Sequence, residues 1–376
     1  MSMKTIINPD KKDWPKILQR PVIDQTELFE TVRTILRDVK VNGDAAVEKY
    51  TLQFDKIKAD QIEVTAEEIN KAERSIKSTL KKAIETAAEN IRRFHEKQLQ
   101  QPEIIETMPG IKCWRRSVGI EKVGLYIPGG TAPLFSTVLM LGIPAKLAGC
   151  KEIVLASPPT MSPEGVGALI HPAILFAAHL IGVTRIFRIG GVQAIAAMTY
   201  GTETVPKVYK IFGPGNQYVN CAKQLVQSDG VAIDMPAGPS EVCVLADENC
   251  DPSFVAADLL SQAEHGEDSQ VLLICTSENI IKKVQAEIEK QIQNLSRRNI
   301  IEKVVENSSA VVIEDFNKAI DLVNEYAPEH LIIACKNEDA ISDKVTNAGS
   351  VFLGNYSPES AGDYASGTNH VLPTNG

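Results

Sequence analysis

The chain has 376 residues, of which 44% are apolar and 23% charged, an ordinary balance for a folded protein with more length than one hydrophobic core usually spans. The formal net charge of −9 argues against a nucleic-acid or anionic-membrane partner. No apolar run reaches the roughly 18 residues that a membrane span needs, and the nearest, 172–183, is interrupted by His179. The first residues, MSMKTIINPDKKDW, lack the apolar stretch of a signal peptide. Seven cysteines, at 113, 150, 221, 243, 250, 275 and 335, form no C-x-x-C pair. This odd, scattered usage fits a reduced cytoplasmic protein whose thiols act as small core hydrophobes.

In chain order, residues 1–25 are polar and broken by proline, and read as an N-terminal arm. Leu28, Val32, Ile35 and Leu36 then recur at helical spacing until Asn42-Gly43 breaks the pattern. Thr65-Ala-Glu-Glu68 is a capping box that opens a helical stretch reaching about 99, with a junction near Ser78. Residues 104–116 read as a β-hairpin around Pro109-Gly110. From 122 the rhythm becomes strand, glycine or proline turn, helix, four times over: strands at 123–126, 153–156, 185–188 and 208–212, each followed by a helix. A second series begins near 239, with strands at 242–245, 270–274, 310–313, 331–334 and 351–353. Alternation of this kind predicts parallel α/β sheets covered by helices.

In such sheets ligands bind outside the carboxyl ends of strands. The turns at Pro128-Gly129-Gly130, Ser157-Pro158-Pro159, Gly190-Gly191 and Gly213-Pro214-Gly215 occupy that position, although none completes a G-x-G-x-x-G. They suit a phosphate at a helix N-terminus, or are simply tight turns. Gln262 and His265, three apart before the helix stop Gly266, share a helix face near a partly negative helix end. An amide oxygen and an imidazole aimed together can begin a zinc site, but also describe a solvated helix end. Glu329-His330, just before a strand, can serve acid–base chemistry or lie exposed in a loop. Pro328 is expected to hold Ala327 extended. Residues 354–370 read as a long polar loop that offers Asp363 as an oxygen ligand and His370 as a site residue. His95, His171 and His179 receive no role.

Five ordered motifs carry a resemblance: 123–130 (VGLYIPGG), 237–241 (AGPSE), 260–266 (LSQAEHG), 327–331 (APEHL) and 362–373. Over nearly its whole length the chain resembles histidinol dehydrogenases. The resemblance implies NAD-dependent oxidation of L-histidinol to L-histidine in two steps through histidinaldehyde. It implies zinc on Gln262, His265 and Asp363, and His330 as the base for the alcohol. Glu329 would activate water in the second step, Ser240 and His370 would line the substrate pocket, and Tyr126, Gln193 and Asn216 would contact NAD. It also implies a homodimer and two Rossmann-like parallel-sheet domains, one inserted in the other, with an N-terminal helical extension. The expected division is a discontinuous domain of 26–122 and 240–376 carrying the metal and catalytic residues, with an NAD-binding insert at 123–239. Chains of that family run past the last motif, and their tail gives a glutamate and a fourth zinc ligand, a histidine donated to the neighbouring subunit. Ending at Gly376, this chain is expected to hold zinc weakly and oxidise histidinol poorly. The alternatives are a dehydrogenase of another amino alcohol, a catalytically silent relative and a zinc hydrolase.

Overall fold

The structure, a computed structural model, describes residues 2–20, 26–58, 61–129, 133–161, 168–236, 238, 240–267 and 269–372. Gly130, Ala237, Pro239, Asp268 and Pro373, the end of the last motif, lie outside the described residues. The chain forms two compact units. One comprises Met1–Ile23, Ala237–Asp363 and Leu372–Gly376, and the other Asp24–Pro236 and Tyr364–Val371. In sequence, one unit is therefore inserted in the other, as expected, but the insert begins near 24 rather than 123.

The first unit is built on a six-stranded, wholly parallel sheet. Its order is Lys4–Ile7, Ser309–Val312, Gln270–Cys275, Glu241–Ala246, His330–Ala334, Ser350–Leu353. Counting the five strands after 240 in chain order, this is 3-2-1-4-5, the doubly wound order without its sixth strand. The central strand Glu241–Ala246 is buried at all six positions, as a sheet covered on both faces requires. Helices Pro252–Ala263 and Glu278–Gln291 bury Leu259, Leu260, Ile281 and Val284 in one core with Val242, Val244 and Leu273. Helix Phe316–Tyr326 packs Ile320, Leu322 and Val323 with Leu245 and Leu331 in another. Helix Arg298–Asn307 has no counterpart in the sequence reading. The N-terminal arm needs correction. Lys4–Ile7 is the edge strand of this sheet, paired with Ser309–Val312, and Trp14 is 2% exposed in the core. An edge strand with three exposed residues and one half-buried carries no alternating pattern to read.

The second unit has a five-stranded parallel sheet, ordered Ala232–Ile233, Lys210–Phe212, Lys122–Tyr126, Glu152–Ala156, Arg185–Phe187. In chain order this is again 3-2-1-4-5. Residues 26–122 belong here and not with 240–376. Helix Thr26–Asp55 buries Val32, Ile35, Leu36, Val39, Val47 and Tyr50 in the core that contains Tyr126, Val154 and Phe187. Each fully buried aliphatic side chain contributes roughly 1.5–3 kcal/mol relative to exposure, so this face outweighs the change of rhythm at 122. The break read at Asn42-Gly43 is real: Gly43 is non-helical (φ 52°) inside that helix. Thr65 and Glu68 form the expected capping box, followed by helices Ala66–Ser75 and Ser78–Glu96. Ile84, Ala87 and Ile91 of the second of these pack in one core with Leu125 and Leu139. The hairpin Ile104–Met108 with Ile111–Trp114 is present. Among the described residues, no helix is long and apolar enough to cross a membrane. All seven cysteines are unpaired, and Cys243 and Cys275 are fully buried.

Candidate active site

In the first unit the chemistry gathers at the amino-terminal edge of the sheet, not at its carboxyl end. His330 opens its strand and is level with Val242 and Ser350 of the two neighbouring strands. Gln262 lies in the last turn of helix Pro252–Ala263, which runs back toward that same edge. The backbone before His330 is unusual. Ala327 closes helix Phe316–Tyr326 in the left-handed region (φ 50°, ψ 63°), not in the extended conformation expected before Pro328. Its N–H donates to the Val323 carbonyl at 2.9 Å, a helix end that overrides the usual preference of a residue preceding proline. A non-glycine residue held there stores strain of about 1 kcal/mol or more beside Glu329 and His330.

Ligand atoms of His330, Glu359 and Asp363 come within 4.8 Å of one another, and all three residues are buried. His330 Nε2 stands 3.8 Å from Asp363 Oδ1 and has no hydrogen-bond partner among the described residues. His330 Nδ1 lies 3.3 Å from the Glu241 carbonyl, which can only accept. That contact places the ring proton on Nδ1 and leaves the Nε2 lone pair facing the cluster. Burial also lowers the His330 pKa, favouring the neutral ring. Glu329 Oε2 accepts from the Glu241 N–H at 3.1 Å, and burial pushes the Glu329 carboxyl up to about 8. Burial, the Glu359 charge and a hydrogen bond to Glu359 together raise the Asp363 carboxyl far above the usual range. Asp258, buried on the same helix as Gln262, is raised to about 7 by burial.

These residues fit a divalent cation. Gln262 Oε1 and Glu359 Oε1 are buried without a hydrogen-bond partner among the described residues. Buried carboxyls that burial keeps neutral become comfortable anions only beside a positive charge. The donors facing it would be carboxylates and an amide oxygen, both of which zinc accepts, with the His330 imidazole alongside. His265 is not a member of the trio. It is exposed, and its Nδ1 lies 2.9 Å from Gln262 Nε2. Ser240 is half-buried next to Glu241, and its carbonyl accepts from Gln270 N–H.

The sequence reading missed Glu359, Glu241 and Arg20. Glu359 and Asp363 share helix Glu359–Tyr364, in the stretch read as a loop. Their spacing of four was the available signal, since it puts both carboxyls on one helix face. Arg20 grips the buried Glu241 carboxylate with two bonds of 2.7 and 2.8 Å and donates to the Tyr326 carbonyl at 2.6 Å. No local pattern links residues 221 positions apart.

In the second unit the carboxyl-end rule holds. A cavity of about 650 Å³ is lined by the turns after three strands: Pro128 and Gly129, Pro158 and Pro159, and Gly191. Tyr126, Gln193 and Asn216 all line it. Tyr126 Oη accepts from the Gly191 N–H at 3.0 Å. Gln193 is 1% exposed, and its Oε1 has no hydrogen-bond partner among the described residues. Asn216 caps helix Gln217–Val226 through the N–H groups of Tyr218 and Val219. The preceding turn is clamped at Gly213, whose N–H donates to Asp234 and whose carbonyl accepts from Lys223, each at 2.7 Å. Any side chain at Gly213 (φ 131°) would strike the Tyr126 carbonyl. His370 lies in this unit, with Nε2 3.1 Å from Thr137 Oγ1. His95 faces the Ile91 carbonyl and His171 caps helix Pro172–Ile181, so both are structurally occupied.

Two Rossmann-like sheets, one bearing an imidazole–carboxylate site suited to a metal and the other a cavity at its switch point, define an α/β enzyme of two units. Comparison with known proteins makes this specific. The sequence model of the histidinol dehydrogenase family matches residues 18–376, so the chain belongs to the histidinol dehydrogenase family and is an oxidoreductase. The histidinol dehydrogenase of Bacteroides thetaiotaomicron is 59% identical over 374 residues, covering 100% of this chain and 86% of that one. The Escherichia coli K12 enzyme is 49% identical over 382 residues, with the same two shares. The crystal structure of the Elizabethkingia anophelis histidinol dehydrogenase superposes with a TM-score of 0.95 at 53% identity, covering 99% of this chain and 85% of that chain. These relatives favour histidine biosynthesis over the hydrolase and silent-protein alternatives.

Proposed function

We propose that this chain oxidises L-histidinol to L-histidine in two NAD-dependent steps through histidinaldehyde. The observation that carries the reading is the His330 ring, neutral and buried, with Nδ1 at the Glu241 carbonyl and Nε2 without a hydrogen-bond partner among the described residues. Such a nitrogen is poised to take a proton.

Gln262, His265 and Asp363 would hold zinc, and Glu359 stands beside Asp363 in the same cluster. When bound, zinc supplies a Lewis acid that holds and polarises an amino alcohol. His330 Nε2 takes the carbinol O–H proton as the carbinol C–H leaves with its electron pair to NAD, giving the aldehyde. Glu329 then takes a proton from water as its oxygen bonds to the aldehyde carbon. A second hydride leaves that carbon for a second NAD, and the product is the carboxylic acid. Ser240 and His370 would help hold the substrate. Tyr126, Gln193 and Asn216 would contact the dinucleotide in the 650 Å³ cavity. The working form is a homodimer in the cytoplasm.

The test is NADH formation from L-histidinol, with zinc supplied and then chelated. His330→Asn should lower the rate of alcohol oxidation by about 10²–10⁴, the usual worth of a positioned base. Glu329→Gln should slow oxidation of added histidinaldehyde far more than oxidation of histidinol. Unchanged turnover in His330→Asn, or zinc-independent turnover, would overturn these roles.

A further inference from the structure

Asp55 ends the helix Thr26–Asp55, where unpaired carbonyls give a partial negative charge that disfavours another anion. Its Oδ2 is buried and has no hydrogen-bond partner among the described residues. Its side chain lines the 650 Å³ cavity together with Thr31, Tyr126, Gln193 and Asn216. Desolvation there raises the carboxyl to about 6. Among the described residues nothing in this setting rewards a carboxylate for folding, since an amide or a small apolar group would be better tolerated. A group kept where the fold disfavours it serves what enters the cavity.

A second observation shows what is missing. Doubly wound dinucleotide folds usually keep an acid after the second strand, where it accepts from the ribose hydroxyls. In this sheet the second strand is Glu152–Ala156, and among the described residues that follow it, 157–161, there is no carboxylate. The first strand's Tyr126 and the turns beyond it line the same cavity, and Asp55 enters it from the helix that precedes the sheet.

We propose that Asp55 replaces that missing acid: it accepts hydrogen bonds from a ribose diol of the dinucleotide and disfavours a 2′-phosphate, so that NAD is taken in preference to NADP. This rests on the reading of the cavity as the dinucleotide site. A carboxylate only accepts, and a ribose diol offers two donors. Charge-assisted bonds of this kind are about twice as strong as neutral ones. A phosphate ester at the same position would place two anions side by side.

The experiment is equilibrium binding of NAD and NADP to the zinc-supplemented full chain, to Asp55→Ala and to Asp55→Asn, with L-histidinol binding and thermal melting measured on each. Asp55→Ala should weaken NAD by about tenfold to a hundredfold, the worth of hydrogen bonds to a charged group. Asp55→Asn keeps shape without charge. It should weaken NAD by less and bring the NAD and NADP affinities closer. L-Histidinol affinity should be unchanged, and both variants should melt no lower than the parent chain, because the helix end is relieved of an anion. NAD binding by Asp55→Ala equal to the parent's, with the same preference over NADP, overturns the role of Asp55 and leaves the cavity reading intact. Absence of saturable NAD binding to the parent chain overturns the cavity reading itself, and this proposal with it.

Discussion

At the scale of single residues, the buried Arg20–Glu241 pair is the sharpest test of how the site edge is held. The Glu241 carboxylate is 2% exposed and the Arg20 side chain 17% exposed, with two parallel hydrogen bonds between them. Arg20 also lies over the Tyr326 ring at 4.6 Å. Removing one member of a buried pair strands the other, at a cost of about 3–5 kcal/mol. Arg20→Ala should therefore lose about that much in a urea titration, and Arg20→Ala with Glu241→Gln should recover much of it. Equal losses in the single and double variants would show that the charge of Glu241 is not what Arg20 compensates. Asp55 gives a pH-dependent prediction of opposite origin. Its folded-state carboxyl titrates near 6, above the ordinary 3.8. Its contribution to stability is fully present below the ordinary value and is lost as pH rises through about 6. Asp55→Asn should therefore match the ligand-free parent chain in melting temperature near pH 4 and exceed it above pH 6. A constant difference across that range would refute the titration.

At the scale of elements, the Gly213 turn shows how a loop becomes rigid without a glycine fingerprint. Lys223 is 1% exposed on helix Gln217–Val226, paired with Asp234, and the two groups together bind both polar backbone groups of Gly213. Lys223→Met should cost about 3–5 kcal/mol in a denaturant titration, because Asp234 is left buried and alone. Because Asn216 follows the same turn, NAD affinity should fall as well, while L-histidinol affinity stays. A variant that keeps both stability and NAD affinity would show the clamp to be idle. Elements with strong local signals were legible in the sequence. The capping box at Thr65, the hairpin around Pro109-Gly110 and most strands of both series fall where periodicity and turn residues put them. The left-handed Ala327 and the short helix Glu359–Tyr364 were not legible. Ala327 is set by how helix Phe316–Tyr326 ends against its strand, and the small, polar composition of 354–370 masks a two-turn helix.

At the scale of the whole chain, the proposed metal residues all lie in one unit and the proposed NAD residues Tyr126, Gln193 and Asn216 in the other. Hydrogen exchange should resolve them. Zinc alone should slow exchange in peptides covering 258–267 and 327–334, and NAD alone in peptides covering 123–129 and 189–193. Protection of the 123–129 peptide by zinc alone would count against this partition. Both sheets carry the order 3-2-1-4-5, yet they place their chemistry at opposite ends of their strands. The carboxyl-end rule was applied to the turns of one sheet only, because it describes where turns and helix N-termini collect. His330, Glu329 and Glu241 instead use the edge where helices end.

By itself the sequence determined the alternation of strands and helices and the glycine and proline turns, while the residues proposed for the site came from the family resemblance that its ordered motifs carry. The alternation and the turns are properties of short windows, where a period of two or 3.6 and a turn residue leave a readable mark. Only the tertiary structure decided that residues 26–122 pack with 123–236, that Lys4–Ile7 completes a sheet far along the chain, and that Arg20, Glu241 and Glu359 belong with His330. Those outcomes depend on which apolar faces bury one another and which buried charges find partners, and such choices couple residues hundreds of positions apart with no local trace.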